Sequence, residues 1–135
     1  MALDIVIFGG IGDLSLRKLL PSLFYLCKDG NLEPQSHILC VSRKEKTREE
    51  FLKLVNGKLR EFIKEDYNEN TWQKFSKIIS YKKVDLTIQE DWYGLRDHLN
   101  ISHQEKNRNI IYYLSVTPSL FTPICEQIKL NGLNP

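Results

Sequence analysis

A short apolar run that stops abruptly in glycines limits this chain more than any other feature. Leu3 to Phe8 is interrupted only by Asp4, and Gly9-Gly10-Ile11-Gly12 follows at once. Such a run suits a strand buried on both faces, as in a parallel sheet. Beyond the glycines the apolar positions Leu14, Leu19, Leu20, Leu23, Phe24 and Leu26 recur at helical spacing, so the glycines join a strand to a helix. In that setting Gly9 permits a tight turn and Gly12 lets backbone approach a diphosphate with no side chain between. Ser15 is small enough for the helix to pack on the strand, and the free amides of the helix start face the phosphates. The spacing is G-x-x-G-x-x-S rather than G-x-G-x-x-G, so the motif draws its weight from its position at the opening of a βαβ unit. A Walker-type phosphate loop is excluded, because no Gly-Lys-Ser/Thr follows four residues after a glycine.

The remaining pattern repeats the alternation. Pro21 interrupts the first helical segment and is expected to push Leu20 out of the helical region. That leaves a single turn at about Leu14 to Leu19, then a helix with Pro21 in its first turn and Gly30 as its stop. His37 to Val41 reads as a second strand. Thr47 and Glu50 form a capping box ahead of Phe51, Leu54, Val55, Leu59, Phe62 and Ile63, all on one helical face. A short helix is expected around Trp72, Phe75 and Ile78, a strand from Ile79 to Val84, and a helical face through Trp92, Leu95 and Leu99. After the polar loop SHQEKNRN come a strand at Ile110 to Leu114 and a last helix from Leu120 to Leu130. Strands alternating with helices imply an α/β fold with a Rossmann-like, doubly wound, mostly parallel sheet, here its N-terminal part alone. No internal repeat or boundary divides residues 1–135, which read as one dinucleotide-binding domain.

Composition removes several functions. The 135 residues are 41% hydrophobic and 27% charged, with no apolar run near the roughly 20 residues a membrane helix needs. Nineteen basic against seventeen acidic side chains give a net charge of +2 without a block of like charge, which argues against nucleic-acid binding. The start lacks a basic n-region, so a cytoplasmic protein without a secretory signal is expected. Cys27, Cys40 and Cys125 are odd in number, far apart and set in apolar runs, and read as reduced core residues rather than a metal site. His37, His98 and His103 share no ligand spacing.

The end of the second strand decides which dinucleotide fits, because an acid there accepts both ribose hydroxyls and repels a 2′-phosphate. The place reads Val41-Ser42-Arg43-Lys44, without an acid. Arg43 can fork onto a phosphate and Lys44 adds charge, which favours NADP over NAD; a solvated basic loop is the plain alternative. Arg17 and Lys18 lie on the broken turn, where a cation either faces the cleft and meets an anionic substrate or forms one more surface pair.

The stretch FGGIGDLSLRKLLPSLFYL resembles the opening of the glucose-6-phosphate dehydrogenases, a strand followed by G-x-x-G-D-L-[AST]-x-[RK]-K, a short apolar pair and proline. KDGNLEPQSHILCVSRKEKTREEF is similar to that family's passage through its second strand. IIYYLSVTPSLFTPICEQI is similar to its [FY]-[YL]-x-[AS]-[LV]-x-P segment and following helix, and residues 55 to 105 match least. The resemblance implies that Gly9, Gly12, Asp13 and Leu14 cradle NADP, that Ser42 and Arg43 lie at its 2′-phosphate, and that Ser115, Val116 and Thr117 border the nicotinamide end. Lys18 matches the family lysine that reaches glucose 6-phosphate.

Two departures stand out. Ile11 occupies the place of a serine or threonine whose hydroxyl helps hold the 2′-phosphate, which weakens the expected NADP preference. The chain also stops at NGLNP, ahead of the family's Glu-Lys-Pro segment and of the histidine and aspartate that serve as base and orienter. The expectation is therefore a truncated coenzyme-binding portion of an enzyme whose full-length family is homo-oligomeric. It would lack turnover by itself and tend to self-associate through faces meant for missing parts. Two other readings stay open. One is a nucleotide-sensing or partner-binding module. The other is a short-chain reductase or epimerase, disfavoured because no tyrosine past the third strand has a lysine four residues on.

Overall fold

The computed structural model describes residues 2–102 and 108–133. The first strand, β1 (Ala2–Phe8), is followed by α1 (Leu20–Lys28), β2 (His37–Ser42), α2 (Arg48–Ile63), α3 (Glu69–Ile78), β3 (Ile79–Lys83), α4 (Gln89–Ser102), β4 (Arg108–Leu114) and α5 (Phe121–Leu130). All strand pairs are parallel and the sheet order is β3-β2-β1-β4. Because β1 lies at the centre, its residues from Asp4 to Phe8 are buried on both sides, as the unbroken apolar run requires. The chain winds outward from β1 to β3, then returns across the sheet to β4 on the other side of β1.

Alternation along the strands divides the core in two. Ile5, Ile7, Ile38, Cys40 and Ile79 face Leu20 and Phe24 of α1, Phe51, Val55 and Leu59 of α2, and Phe75 of α3. Val6, Phe8, Leu39 and Val41 face Trp92, Leu95 and Leu99 of α4 and Ile124 and Ile128 of α5. The capping box of α2 forms as its sequence dictates: Glu50 N–H donates to Thr47 Oγ1 (3.1 Å) and Thr47 N–H to Glu50 Oε1 (2.9 Å). Asn68 caps α3 through Thr71 N–H at 2.9 Å.

Pro21 stands in the first turn of α1 as expected, but it does not push Leu20 out of the helical region. Leu20 keeps helical angles (φ −64°, ψ −41°), and the helix widens into a π turn over Ser15–Leu19, closed by Leu20 N–H on Ser15 O. The wider turn absorbs the proline locally, so the helix continues through it instead of breaking. Ser22 Oγ donates to Lys18 O at 2.8 Å within the same stretch.

The cysteine reading needs correcting. Only Cys40 is a core residue; Cys27 is half-buried and Cys125, on the outer side of α5, is exposed. Burial pushes the Cys40 thiol up to about 12. No group of three or more His, Cys, Asp or Glu side chains able to hold a metal occurs among the described residues, and no helix among them is long and apolar enough to cross a membrane. His103 lies outside the described residues. His37 and His98 share a cavity of about 340 Å³ with Asp4, and His37 Nδ1 stands 3.4 Å from Asp4 Oδ1. Asp4 thus reaches His37 at the N-terminal edge of the sheet, opposite the glycines.

β4 is an edge strand. Ile111 and Tyr113, which align with Ile5 and Ile7, remain 41% and 48% exposed, because α1 to α3 cover β1 to β3 and stop short of β4. An unpaired edge beside an apolar strip favours association. The 135-residue polypeptide is accordingly expected to gain mass with concentration in sedimentation equilibrium; a concentration-independent monomer would contradict this.

Candidate coenzyme site

The carboxyl ends of the four strands converge on the glycine turn. There Gly9 and Gly10 both donate their amides to Val41 O, at the end of β2, at 3.0 Å each. On the other flank Ser115 N–H donates to Phe8 O at 2.9 Å, tying the loop after β4 to the end of β1. β1 and β4 are neighbours whose following segments depart on opposite faces, and this is where a doubly wound sheet opens a crevice.

This close convergence explains two glycines. Gly9 has φ +76°, and a Cβ there would stand 2.1 Å from Ser115 O. A Cβ at Gly10 would stand 2.4 Å from Cys40 Cβ. Gly12 is less crowded, with 3.2 Å to Gly9 O, and so is not demanded by the fold alone.

The amides available to a ligand are therefore not those of Gly9 and Gly10. Gly12 N–H is also taken, by Gly9 O at 3.0 Å, and the first helical bond runs from Leu16 N–H to Gly12 O at 3.0 Å. Asp13, Leu14 and Ser15 thus precede the helical ladder, and of these the exposed Asp13 and Leu14 carry the amides that a helix start leaves for an anion. Ser15 does more than the small packing residue expected: it is fully buried, and its Oγ donates to Gly10 O at 2.7 Å, bracing the turn against the helix.

In front of the turn lies a cavity of about 470 Å³. Its walls are Phe8, Gly9, Ile11 and Gly12 from the turn, Val41 to Lys44 from the end of β2, Val84 to Thr87 from the end of β3, and Val116 and Leu120 from beyond β4. Gly9, Gly12, Ser42, Arg43 and Val116 are among the expected site residues brought there. Ser42 also serves the loop, accepting from Tyr81 Oη at 2.9 Å and from Lys44 N–H at 3.1 Å. Arg43 is exposed on the rim.

Other expected residues sit beside the cavity rather than on its walls. Asp13 and Leu14 are exposed at the helix start, and Asp13 pairs with Arg17 at 3.3 Å. Ser115 Oγ is buried and has no hydrogen-bond partner, a polar atom left open beside Gly9. Thr117 Oγ1 lies 3.2 Å from Ser119 Oγ. Lys18 is exposed on the π turn, with Arg17 next to it engaged by Asp13 and the Phe62 ring.

The third strand's loop escaped the sequence reading. Asp85 Oδ1 accepts from Thr87 N–H (2.9 Å) and Thr87 Oγ1 (2.6 Å), and Asp85 N–H donates to Asp91 Oδ2 (2.8 Å). The Thr87 hydrogen bonds, with a smaller pull from the Arg43 charge, hold the Asp85 carboxyl below the usual carboxylate range. A V-D-L-T sequence at a strand end was the only available signal, and it is common to many turns.

Parallel order, switch point, glycine cradle and a cavity at the carboxyl edge together define a dinucleotide-binding α/β domain. The fit is supported by Gly12, which lines the cavity without being demanded by packing, and by the unpartnered Ser115 hydroxyl. The family described as glucose-6-phosphate dehydrogenase, NAD binding domain, matches residues 6–135, and the chain belongs to it. Membership removes the short-chain reductase alternative. Among curated relatives, glucose-6-phosphate 1-dehydrogenase of Dickeya dadantii is 38% identical over 98% of this chain and 26% of its own length. The enzyme of Rhizobium meliloti is 33% identical over 93% of this chain and 25% of its own. The chain spans about a quarter of the length of these relatives. A solved glucose-6-phosphate dehydrogenase in complex with its substrate glucose-6-phosphate superposes with a TM-score of 0.82 at 27% identity, covering 96% of this chain and 27% of that one. A Mycobacterium avium glucose-6-phosphate 1-dehydrogenase, at 24% identity and TM-score 0.85, shares the fold.

The two kinds of glycine separate by experiment. Gly9→Ala combines a left-handed backbone with a backbone clash and is expected to cost at least about 2 kcal/mol in urea unfolding. Gly12→Ala is expected to stay within about 1 kcal/mol of the unaltered chain in the same melt while weakening dinucleotide binding, measured by calorimetric titration.

Proposed function

We propose that this chain is the coenzyme-binding portion of an NADP-dependent glucose-6-phosphate dehydrogenase, an oxidoreductase that converts glucose 6-phosphate to 6-phosphogluconolactone in the pentose phosphate pathway. One observation carries the choice of coenzyme: the β2 wall of the cavity ends in Ser42-Arg43-Lys44, two cations and no acid. When bound, NADP supplies the hydride acceptor. The chain's own residues bind and orient. The amides of Asp13 and Leu14 receive the diphosphate at the helix start, where Gly12 leaves room for it. Arg43 forks onto the 2′-phosphate beside Ser42, and Ser115, Val116 and Thr117 border the nicotinamide end. Lys18 reaches the phosphate of glucose 6-phosphate from the π turn. The three thiols are free, in keeping with a reducing cytoplasmic setting. The whole enzyme is a homo-oligomer in this reading.

The reading assigns no base to residues 1–135. His37 and His98 face the far edge of the sheet, out of reach of a proton leaving a sugar hydroxyl at the cavity. The 135-residue polypeptide is expected to bind NADP yet give no steady formation of reduced coenzyme with glucose 6-phosphate; sustained absorbance growth would refute this. Arg43→Ala is expected to weaken NADP by about 1.5 to 3 kcal/mol, the scale of a charge-assisted contact, and to leave NAD nearly unchanged in calorimetric titration. Equal loss for both coenzymes would remove Arg43 from the 2′-phosphate.

A further inference from the structure

Two strand ends, not one, present charge to the coenzyme cavity. The pairing of β2 with β3 runs up to Ser42 opposite Lys83, and Val84 N–H then closes it by donating to Ser42 O at 2.8 Å. Arg43 and Asp85 consequently leave the sheet from adjacent strand ends, and both line the same cavity. Asp85 is fixed in place there. Its amide is held by Asp91 and its carboxylate by Thr87, with both Thr87 bonds falling on Oδ1. The acid missing from the end of β2 is thus supplied one strand further out.

We propose that Asp85 is a specificity-determining residue: its carboxylate opposes the 2′-phosphate that Arg43 attracts, and so limits the preference of this site for NADP over NAD. The inference rests on the coenzyme reading above and adds to it the residue that sets how selective the site is. A phosphate approaching Arg43 also meets the field of Asp85 in the same cavity, which offsets part of the cation's pull, and a doubly charged group is repelled by that anion directly. NAD, with a hydroxyl in place of the phosphate, pays no such cost. Ile11, on the same cavity wall, offers no hydroxyl to offset the repulsion. The carboxyl stays ionised at neutral pH, since the Thr87 bonds and the Arg43 charge favour its charged form.

The test is calorimetric titration of this chain with NADP and with NAD at low and high salt, for the unaltered protein, Asp85→Asn and Thr87→Ala. Asparagine keeps Oδ1 as the acceptor for Thr87, so it removes charge while sparing the turn. Thr87→Ala loosens the same turn with the charge retained. Asp85→Asn is expected to tighten NADP by about three- to tenfold, with NAD unchanged, and the gain should shrink as salt screens exposed charges. Thr87→Ala is expected to leave the ratio of the two affinities where it was. An unmoved ratio in Asp85→Asn, weakening of both coenzymes, or an equal shift in Thr87→Ala overturns the assignment to Asp85 alone. Failure of the unaltered chain to bind either dinucleotide overturns the coenzyme reading and the assignment with it.

Discussion

The carbonyl of Val41 holds the site together. As the last buried residue of β2 it accepts the amides of both Gly9 and Gly10, so the chain leaving β1 must fold tightly across the neighbouring strand. That double bond satisfies the buried backbone at the turn, and it also brings Gly10 onto Cys40 and Gly9 onto Ser115, leaving no volume for a side chain. With two amides consumed in this way, the groups offered to a ligand are displaced forward to the start of the helix. The turn therefore serves as a brace, and the amides still open are those of the residues just after it.

Much of this was legible from residue order because the signals are local. A short, nearly continuous apolar run ending in glycines reads as a buried strand entering a tight turn. Thr47 and Glu50 announce their helix through bonds three residues apart, and Val41-Ser42-Arg43-Lys44 declares its charge at a strand end. What escaped depends on neighbours distant in sequence or on fine backbone adjustment. Proline at 21 signals an interruption, but whether the helix breaks or widens is settled by packing of Leu16, Leu20 and Phe24 against the sheet, which rewards keeping the helix continuous. Asp85 enters the site only because β3 pairs with β2 in one register, 42 residues after Arg43 in sequence. The exposure of Cys125 follows from the side of α5 that Ile124 and Ile128 leave outward, and an apolar flank in the sequence misstates it.

The two edges of the sheet carry opposite kinds of chemistry. At the carboxyl edge, the glycine turn and the cations Arg43 and Lys44 line an open cavity, which suits an anionic ligand. At the amino edge, Asp4 is buried against His37 in a smaller pocket with Arg48, whose guanidinium donates to Ile79 O and Ser76 O and closes the end of α3. The amino edge thus spends its charged groups on joining elements. The glycine-lined cavity and this anchoring cluster are kept about a strand's length apart.

Cys40 gives the turn an internal clock. Its Cβ packs against Gly10, and the side chain is wholly enclosed with ionisation suppressed by burial, whereas Cys125 meets solvent directly. A thiol reagent must wait for the floor beneath the glycines to lift before it can attack position 40. The alkylation rate at that one sulfur, set against the prompt reaction at Cys125, therefore counts how often the coenzyme cradle comes apart, and a dinucleotide seated above it should slow the count.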